Sequence, residues 1–247
     1  GVLGPQKTAT IKLLTGLSTN MDNDMKIHLV IASFSLLLSM LPQSFAADAG
    51  VMAGVDALSH NWVKVNYFTP KQKRVAAFQP LIIQAKALLD RYPDAPEAMI
   101  IGALVLSSTA AAEGGLDALV KVRQARRLLL QAEKINPQAL DGAIYTFLGS
   151  LYAKVPGWPV SFGDQNKARE YLQKALKIDP KNIDANYFYA DFLAEQGEYA
   201  EAVTHLQVAL QAPLRAGHED ADTGRRHEAV KLLDKINVER GREIAAH

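Results

Sequence analysis

Small and large apolar residues alternate along this chain at helical intervals, and the same order returns at a longer period. Ala125, Leu129 and Ala132 precede Pro137, Ala168, Leu172 and Ala175 precede Pro180, and Ala202, Leu206 and Ala209 precede Pro213, which comes one residue early. Steps of three and four residues put each trio on one helix face. The distance from Ala168 to Ala202 is 34 residues, a period typical of stacked helix pairs. Each prolyl stop is also physical: proline lacks the N–H, and its predecessor avoids helical angles. Asn136-Pro137 and Asp179-Pro180 therefore close their helices.

A second pattern precedes each of these helices. Tyr145, Leu148-Gly149 and Tyr152 form one example, Asn186, Tyr189-Ala190 and Leu193 with a turn at Gly197 another, and Ile101-Gly102 with Val105 a looser third. The pattern is that of the first helix of a tetratricopeptide repeat, and Ala-x3-Leu-x2-Ala is that of the second. The chain thus resembles tetratricopeptide-repeat proteins over residues 93–213. The resemblance implies an all-α fold, a right-handed α-solenoid of helix pairs without strands. In such a stack the alanines let one backbone approach the next, and the leucines fill the space between repeats. Gly149 inside a helix would cost about 1 kcal/mol relative to alanine, so close helix packing is the expected reason for it. Further second helices are predicted over 122–135 and 73–92, and a weaker first helix over 50–65. Residues 223–239 place Ala229, Leu232, Leu233 and Ile236 on one face. They read as the polar-backed C-terminal capping helix that an open solenoid requires.

Two repeats are longer than the pattern demands. Gly149 to Ala168 spans 19 residues where Ala190 to Ala202 spans 12, and Gly102 to Ala125 spans 23. The surplus falls around Lys154–Asp164 and around Glu113-Gly114-Gly115. Both insertions are intra-repeat turns, so adjacent repeats should set them side by side at one end of the helices. Trp158 and Phe162 lie in the first of these, stiffened by Pro156 and Pro159 and loosened at Gly157 and Gly163. Exposed aromatics there would form a binding edge; a Trp158 folded back would instead plug the end of the solenoid. The second candidate site is the groove lined by first helices. Asp184, Tyr187 and Asp191 share a helix face, and Thr146 and Ser150 hold the corresponding places one repeat earlier. Such a face either receives a peptide or small ligand, or is a solvated polar surface.

The residues before the repeats have a different character. From Met25, Lys26 supplies a positive start, residues 29–41 an apolar run, Pro42 a break and Ser44-Phe45-Ala46 a small-x-small cleavage site before Ala47. That is the layout of a secretory signal over 25–46, and its apolar run is shorter than the roughly 20 residues a membrane span needs. The mature domain is expected to be 47–247, exported to the periplasm, with no stable membrane insertion after cleavage. Residues 1–24 resemble the phosphate loop of an ABC-transporter ATPase, but Gly4-Pro5-Gln6 runs straight into Lys7-Thr8. The glycines that would let backbone N–H groups wrap a phosphate are missing. The segment reads as a leader foreign to the repeat domain, and no nucleotide binding is assigned to it.

Composition narrows the function further. Lys+Arg number 27 and Asp+Glu 26, a formal net charge of +1, which gives no reason to expect nucleic acid as a partner. The chain has no cysteine, which removes disulfides, thiolate metal sites and a cysteine nucleophile. Its six histidines form no HExxH pair, and no nucleophile motif is present. The expectation is a binding protein and not an enzyme, with no cofactor and no metal.

A closer resemblance rests on Gly114-Gly115, Ala139-Leu140-Asp141-Gly142, the stretch LGSLYAKVPGWPVSFGD at 148–164, and KAREYLQKAL at 167–176. This combination is similar to the T-component proteins of TRAP transporters, with the matching stretch at 141–176. The resemblance implies a periplasmic all-helical protein that partners a substrate-binding protein or a small ligand and can form a homo-oligomer. One departure is plain: members of that family typically carry a lipid on a cysteine, and this chain has none. A general envelope scaffold, binding peptides in its groove, is the alternative on the same fold.

Overall fold

The computed structural model describes residues 43–245. The chain divides at Ala49/Gly50, and the compact unit from Gly50 onward is the repeat domain. The described helices are α1 (Gln43–Val63), which runs across the boundary, α2 (Arg74–Arg91), α3 (Pro96–Glu113), α4 (Gly115–Ile135), α5 (Ala139–Lys154), α6 (Gln165–Ile178), α7 (Ile183–Glu195), α8 (Tyr199–Gln211) and α9 (Glu219–Ala245). A π-helical turn, Lys64–Phe68, and a short 3-10 turn, Lys71–Lys73, join α1 to α2. No extended strand occurs among the described residues, so the all-α solenoid of helix pairs is the observed fold. The 1–24 leader and the apolar run at 29–41 lie outside the described residues. Among the described residues, no helix is long and apolar enough to cross a membrane.

Helix ends fall where local chemistry puts them. Helices α4 and α6 stop at Ile135 and Ile178, before Asn136-Pro137 and Asp179-Pro180. The Asp164 carboxylate caps α6 by accepting from the N–H groups of Asn166 and Lys167, both at 3.0 Å. Asn182 caps α7 through the N–H of Ala185. Each of these side-chain caps stabilises its helix by about 1 kcal/mol.

The helices pack pairwise, and the small residues are the points of contact. Ala125, Ala168 and Ala202 on the second helices are fully buried, as are Leu129, Leu172 and Leu206. Gly149 packs where a Cβ would meet Leu172 Cγ at 2.5 Å and the Leu172 backbone nitrogen at 3.1 Å. Gly54 approaches Leu88 in the same way in the first pair. First helices α3, α5 and α7 also contact one another in sequence, forming an inner layer, with the second helices outside. The buried Asn186 explains its place in the repeat pattern. Its amide donates to the carbonyls of Pro180 and Asn182, both at 2.9 Å, and its oxygen lies 2.8 Å from His205 Nδ1. One side chain therefore ties a turn, its own helix and the next helix together.

The two insertions differ in kind. Around Glu113-Gly114-Gly115 no loop emerges: Gly114, at φ +68°, is a one-residue turn between α3 and α4. The surplus is extra helix, since these two helices have 18 and 21 residues where α7 and α8 have 13 each. The second insertion is a true loop. The N–H of Gly163 donates to the Pro156 carbonyl at 2.9 Å, and that of Asp164 to the Tyr152 carbonyl at 3.0 Å. Any side chain at Gly163 would collide with the Val155 carbonyl. Close approach is therefore the reason for that glycine.

The cap also does more than end the stack. Helix α9 starts at Glu219, earlier than the predicted 223, and Ala229 and Ile236 are buried against the last repeats. Its first turns reach back to the N-terminal pair, where Ala221 packs against the α1–α3 core. The Tyr67 hydroxyl donates to Glu228 at 3.3 Å, and the Tyr67 ring lies against Gly224. The inner face is thus crossed by α9 and not left open.

Close packing at Gly149 has a measurable consequence. Gly149→Ala should lose about 1–3 kcal/mol of unfolding free energy through overpacking, although alanine is the better helix former by about 1 kcal/mol. Denaturant titration followed by far-UV circular dichroism measures the balance. A neutral or stabilised variant would show that Leu172 yields freely.

Candidate functional site

The inner face, closed by α9, is organised around one buried cation. Arg225 on α9 is 7% exposed. Its Nε donates to Asp184 of α7 at 2.8 Å and its Nη1 to Glu228 at 2.5 Å. The guanidinium lies over the rings of Phe188, at 4.5 Å, and Tyr187, at 4.8 Å. Arg215, from the segment before α9, donates to the second oxygen of Asp184 at 2.9 Å and also to the fully buried Asp222. Asp184 is thus shared by two arginines. Burial would raise its pKa, but Arg225 and Arg215 outweigh it and hold the carboxyl below its usual range. Burial pushes the phenols of Tyr67 and Tyr187 well above theirs.

Beside this network lie two adjoining cavities of about 380 and 230 Å³. Trp62, Leu104, Phe147 and Arg225 line both. The larger has apolar walls from Val55, Ile100 and Ile101 and carries Asp56, Asp141 and Asp184. The smaller is more polar, with Asn66, Ser107, Ser108 and Ser150. Trp62 is fixed by its indole N–H, which donates to Ser108 at 2.8 Å. Asp141 enters on an unusual turn: Leu140, Asp141 and Gly142 are all left-handed, at φ 48°, 54° and 78°. Left-handed leucine is costly by about 1–2 kcal/mol, and this strain sits at the wall of the cavity. Gly142 is required twice, by its φ and by Ile178, which a Cβ would meet at 2.8 Å.

The sequence-predicted residues separate into distinct places. Asp184 and Ser150 line the cavities, as does Tyr187. Asp191 is drawn to one side by Lys154 of α5, at 2.6 Å. That lysine also pairs with Glu195; burial would lower its pKa, and the two carboxylates raise it overall. Thr146 is buried and lines neither cavity. Trp158 is 89% exposed, so it does not plug the solenoid. Phe162 is half-buried, edge-on to Tyr152 at 5.6 Å. Tyr152 in turn stacks on Tyr171 of α6 at 5.6 Å. Burial pushes the Tyr171 phenol up to about 12.

Sequence reasoning missed Arg225, Arg215, Trp62, Phe147 and the strained Asp141. Arg225 falls in a run of charged residues that reads as a solvated face. The burial of Asp222 and Arg225 follows from the return of α9 to Tyr67, which no local pattern records.

The helix pairs and their close crossings define a tetratricopeptide-repeat-like solenoid. A tetratricopeptide-repeat family model matches residues 160–216. Among solved structures, a thermophilic tetratricopeptide-repeat protein of Thermus thermophilus is 20% identical, with a TM-score of 0.50, over 81% of this chain and 96% of that one. MamA is 19% identical, with a TM-score of 0.40, over 71% and 96% of the two chains. PilF of Pseudomonas aeruginosa is 14% identical, with a TM-score of 0.33, over 80% and 95%. Comparison with curated proteins gave no match.

The arginine network makes a pH-dependent prediction. Asp184 has a lowered folded-state pKa, so the stability it contributes is complete above the unfolded value of about 4 and is lost as pH falls through the folded value. Asp184→Asn should therefore destabilise the protein by about 2–4 kcal/mol at pH 7 and flatten the loss of stability below pH 4. Denaturant unfolding at a series of pH values measures both. A variant with the wild-type acid profile would remove Asp184 from the account.

Proposed function

We propose that this protein is an exported, non-catalytic binding protein. It serves as an accessory component of a periplasmic solute-uptake system of the kind that its T-component resemblance implies. Its ligand is a small molecule held in the inner-face cavity, and its protein partner is a substrate-binding protein. The observation that carries this reading is the cavity of about 380 Å³ behind α9. Apolar walls with a few fixed polar groups are the usual composition of small-ligand sites. Asp56 and Asp141 on this wall have no ion-pair partner among the described residues. An apolar molecule with a cationic end suits such a wall. A general scaffold that threads peptides along its groove would need the face that α9 crosses.

The test uses the full chain expressed in a bacterium with an outer membrane. Fractionation and intact mass should find it in the periplasm, processed near Ala47. Native mass spectrometry and a thermal-shift screen of small amphipathic cations should then find ligands that raise Tm. Leu104→Trp, which fills the wall common to both cavities, should abolish the shift while the protein stays folded. Equal shifts in wild type and Leu104→Trp would locate binding elsewhere and defeat the reading. Cytoplasmic retention of an unprocessed chain would defeat the export half of it.

A further inference from the structure

The loop at 155–164 and helix α4 form a second surface, on the outer layer and apart from the cavities. Trp158 is 89% exposed at the loop tip, and Val160 beside it is 52% exposed. On α4, Leu116 and Val120 are 80% and 63% exposed, one turn apart on a single face. Arg123 follows within a turn, and its guanidinium donates to the Val160 carbonyl at 2.9 Å, joining helix and loop. Four large apolar side chains thus lie in solvent on two elements that touch. Isolated exposed apolar residues are ordinary, but a joined group of them marks an interaction surface.

The loop is built to hold that surface still. The N–H groups of Val160 and Ser161 both donate to the Gly157 carbonyl at 3.1 Å. Below them Phe162 is clamped between the Tyr152 ring and the Arg126 guanidinium, 4.6 Å from its centroid. A tryptophan on a fixed support loses little entropy when it is covered, which is the property of a binding anchor.

The surrounding charge selects the occupant. Arg123, Arg126, Arg127 and Lys167 have no carboxylate partner among the described residues, and Arg126 Nε is buried without an acceptor. Lys121 is neutralised by Glu113 at 2.5 Å, and the Asp164 carboxylate is engaged in capping α6. Of the acids on these elements, Asp117 beside Leu116 and Glu133 near the far end of α4 are left without a paired cation among the described residues. Free positive charge therefore exceeds free negative charge around the tryptophan.

We propose that this edge docks an acidic segment of a partner protein, with leucine or aromatic side chains seated on Trp158, Leu116 and Val120 and carboxylates on Arg123 and Arg127. Its complementarity is electrostatic at the rim and apolar at the centre.

A random linear peptide library panned on the wild-type protein and counter-panned on Trp158→Ala tests this. Enriched sequences should carry Asp or Glu interleaved with Leu, Phe or Trp. The best of them, fluorescently labelled, should bind at least about tenfold more weakly to Trp158→Ala. Raising the salt concentration should also weaken it. Arg127→Glu, which leaves the Arg123–Val160 bond in place, should weaken binding of the acidic peptide at least about tenfold, with the far-UV spectrum unchanged because that side chain is exposed. Each of the following would overturn the proposal: no enrichment, enrichment of basic sequences, equal affinity for the variants, or binding to phosphatidylglycerol vesicles in place of peptide. Self-association that Trp158→Ala abolishes would assign the face to a second copy of the chain and overturn it equally.

Discussion

Arg225 cannot be satisfied by its own helix alone, and the inner face depends on that fact. A guanidinium taken out of water needs several acceptors in fixed directions. Glu228 on α9 supplies one, Asp184 on α7 another, and the faces of Tyr187 and Phe188 complete the surroundings. Satisfying the cation therefore fixes α9 against α7. The same stretch of α9 then meets Tyr67 through Gly224 and Glu228. One buried charge links the last helix, the α7–α8 pair and the first pair, and what remains between them is the cavity.

The cavity and the outer edge follow different physical rules. On the inner face, the arginines are paired with carboxylates and the apolar walls are sheltered, while Asp56 and Asp141 stand without ion-pair partners among the described residues on the cavity wall. At the edge, the apolar groups are in water and the cations are without carboxylates. Binding there would add contacts where few exist. A solenoid separates two such surfaces easily, because its first helices and its second helices face opposite ways. The ring of Tyr152, stacked on Tyr171 and met edge-on by Phe162, joins α5, α6 and the loop, so the edge is supported by the same repeat that lends Ser150 and Phe147 to the inner face.

Much of the fold was legible before any coordinates. The Ala-Leu-Ala spacing, the prolyl stops and Gly149 each report a constraint within one helix or between neighbours in sequence. Such constraints are periodic, and periodicity survives in one dimension. The site was legible in part. Asp184, Tyr187 and Ser150 were placed on the inner face by their spacing, but Asp191 was drawn aside by Lys154 and Thr146 sank into the core. The Glu113–Gly115 surplus was visible as length, whereas its conversion into longer helices was not, because a turn and a helical extension add the same number of residues.

Residue size and backbone preference at fixed intervals are enough to specify the helix pairs, their order and their close crossings. Tertiary structure alone decided that α9 returns to Tyr67, that Arg225 and Asp222 are buried, and that Trp158 stays in solvent. Those outcomes join residues as far apart as Tyr67 and Glu228. They depend on how small rotations between repeats accumulate along the stack, and no local pattern encodes that sum.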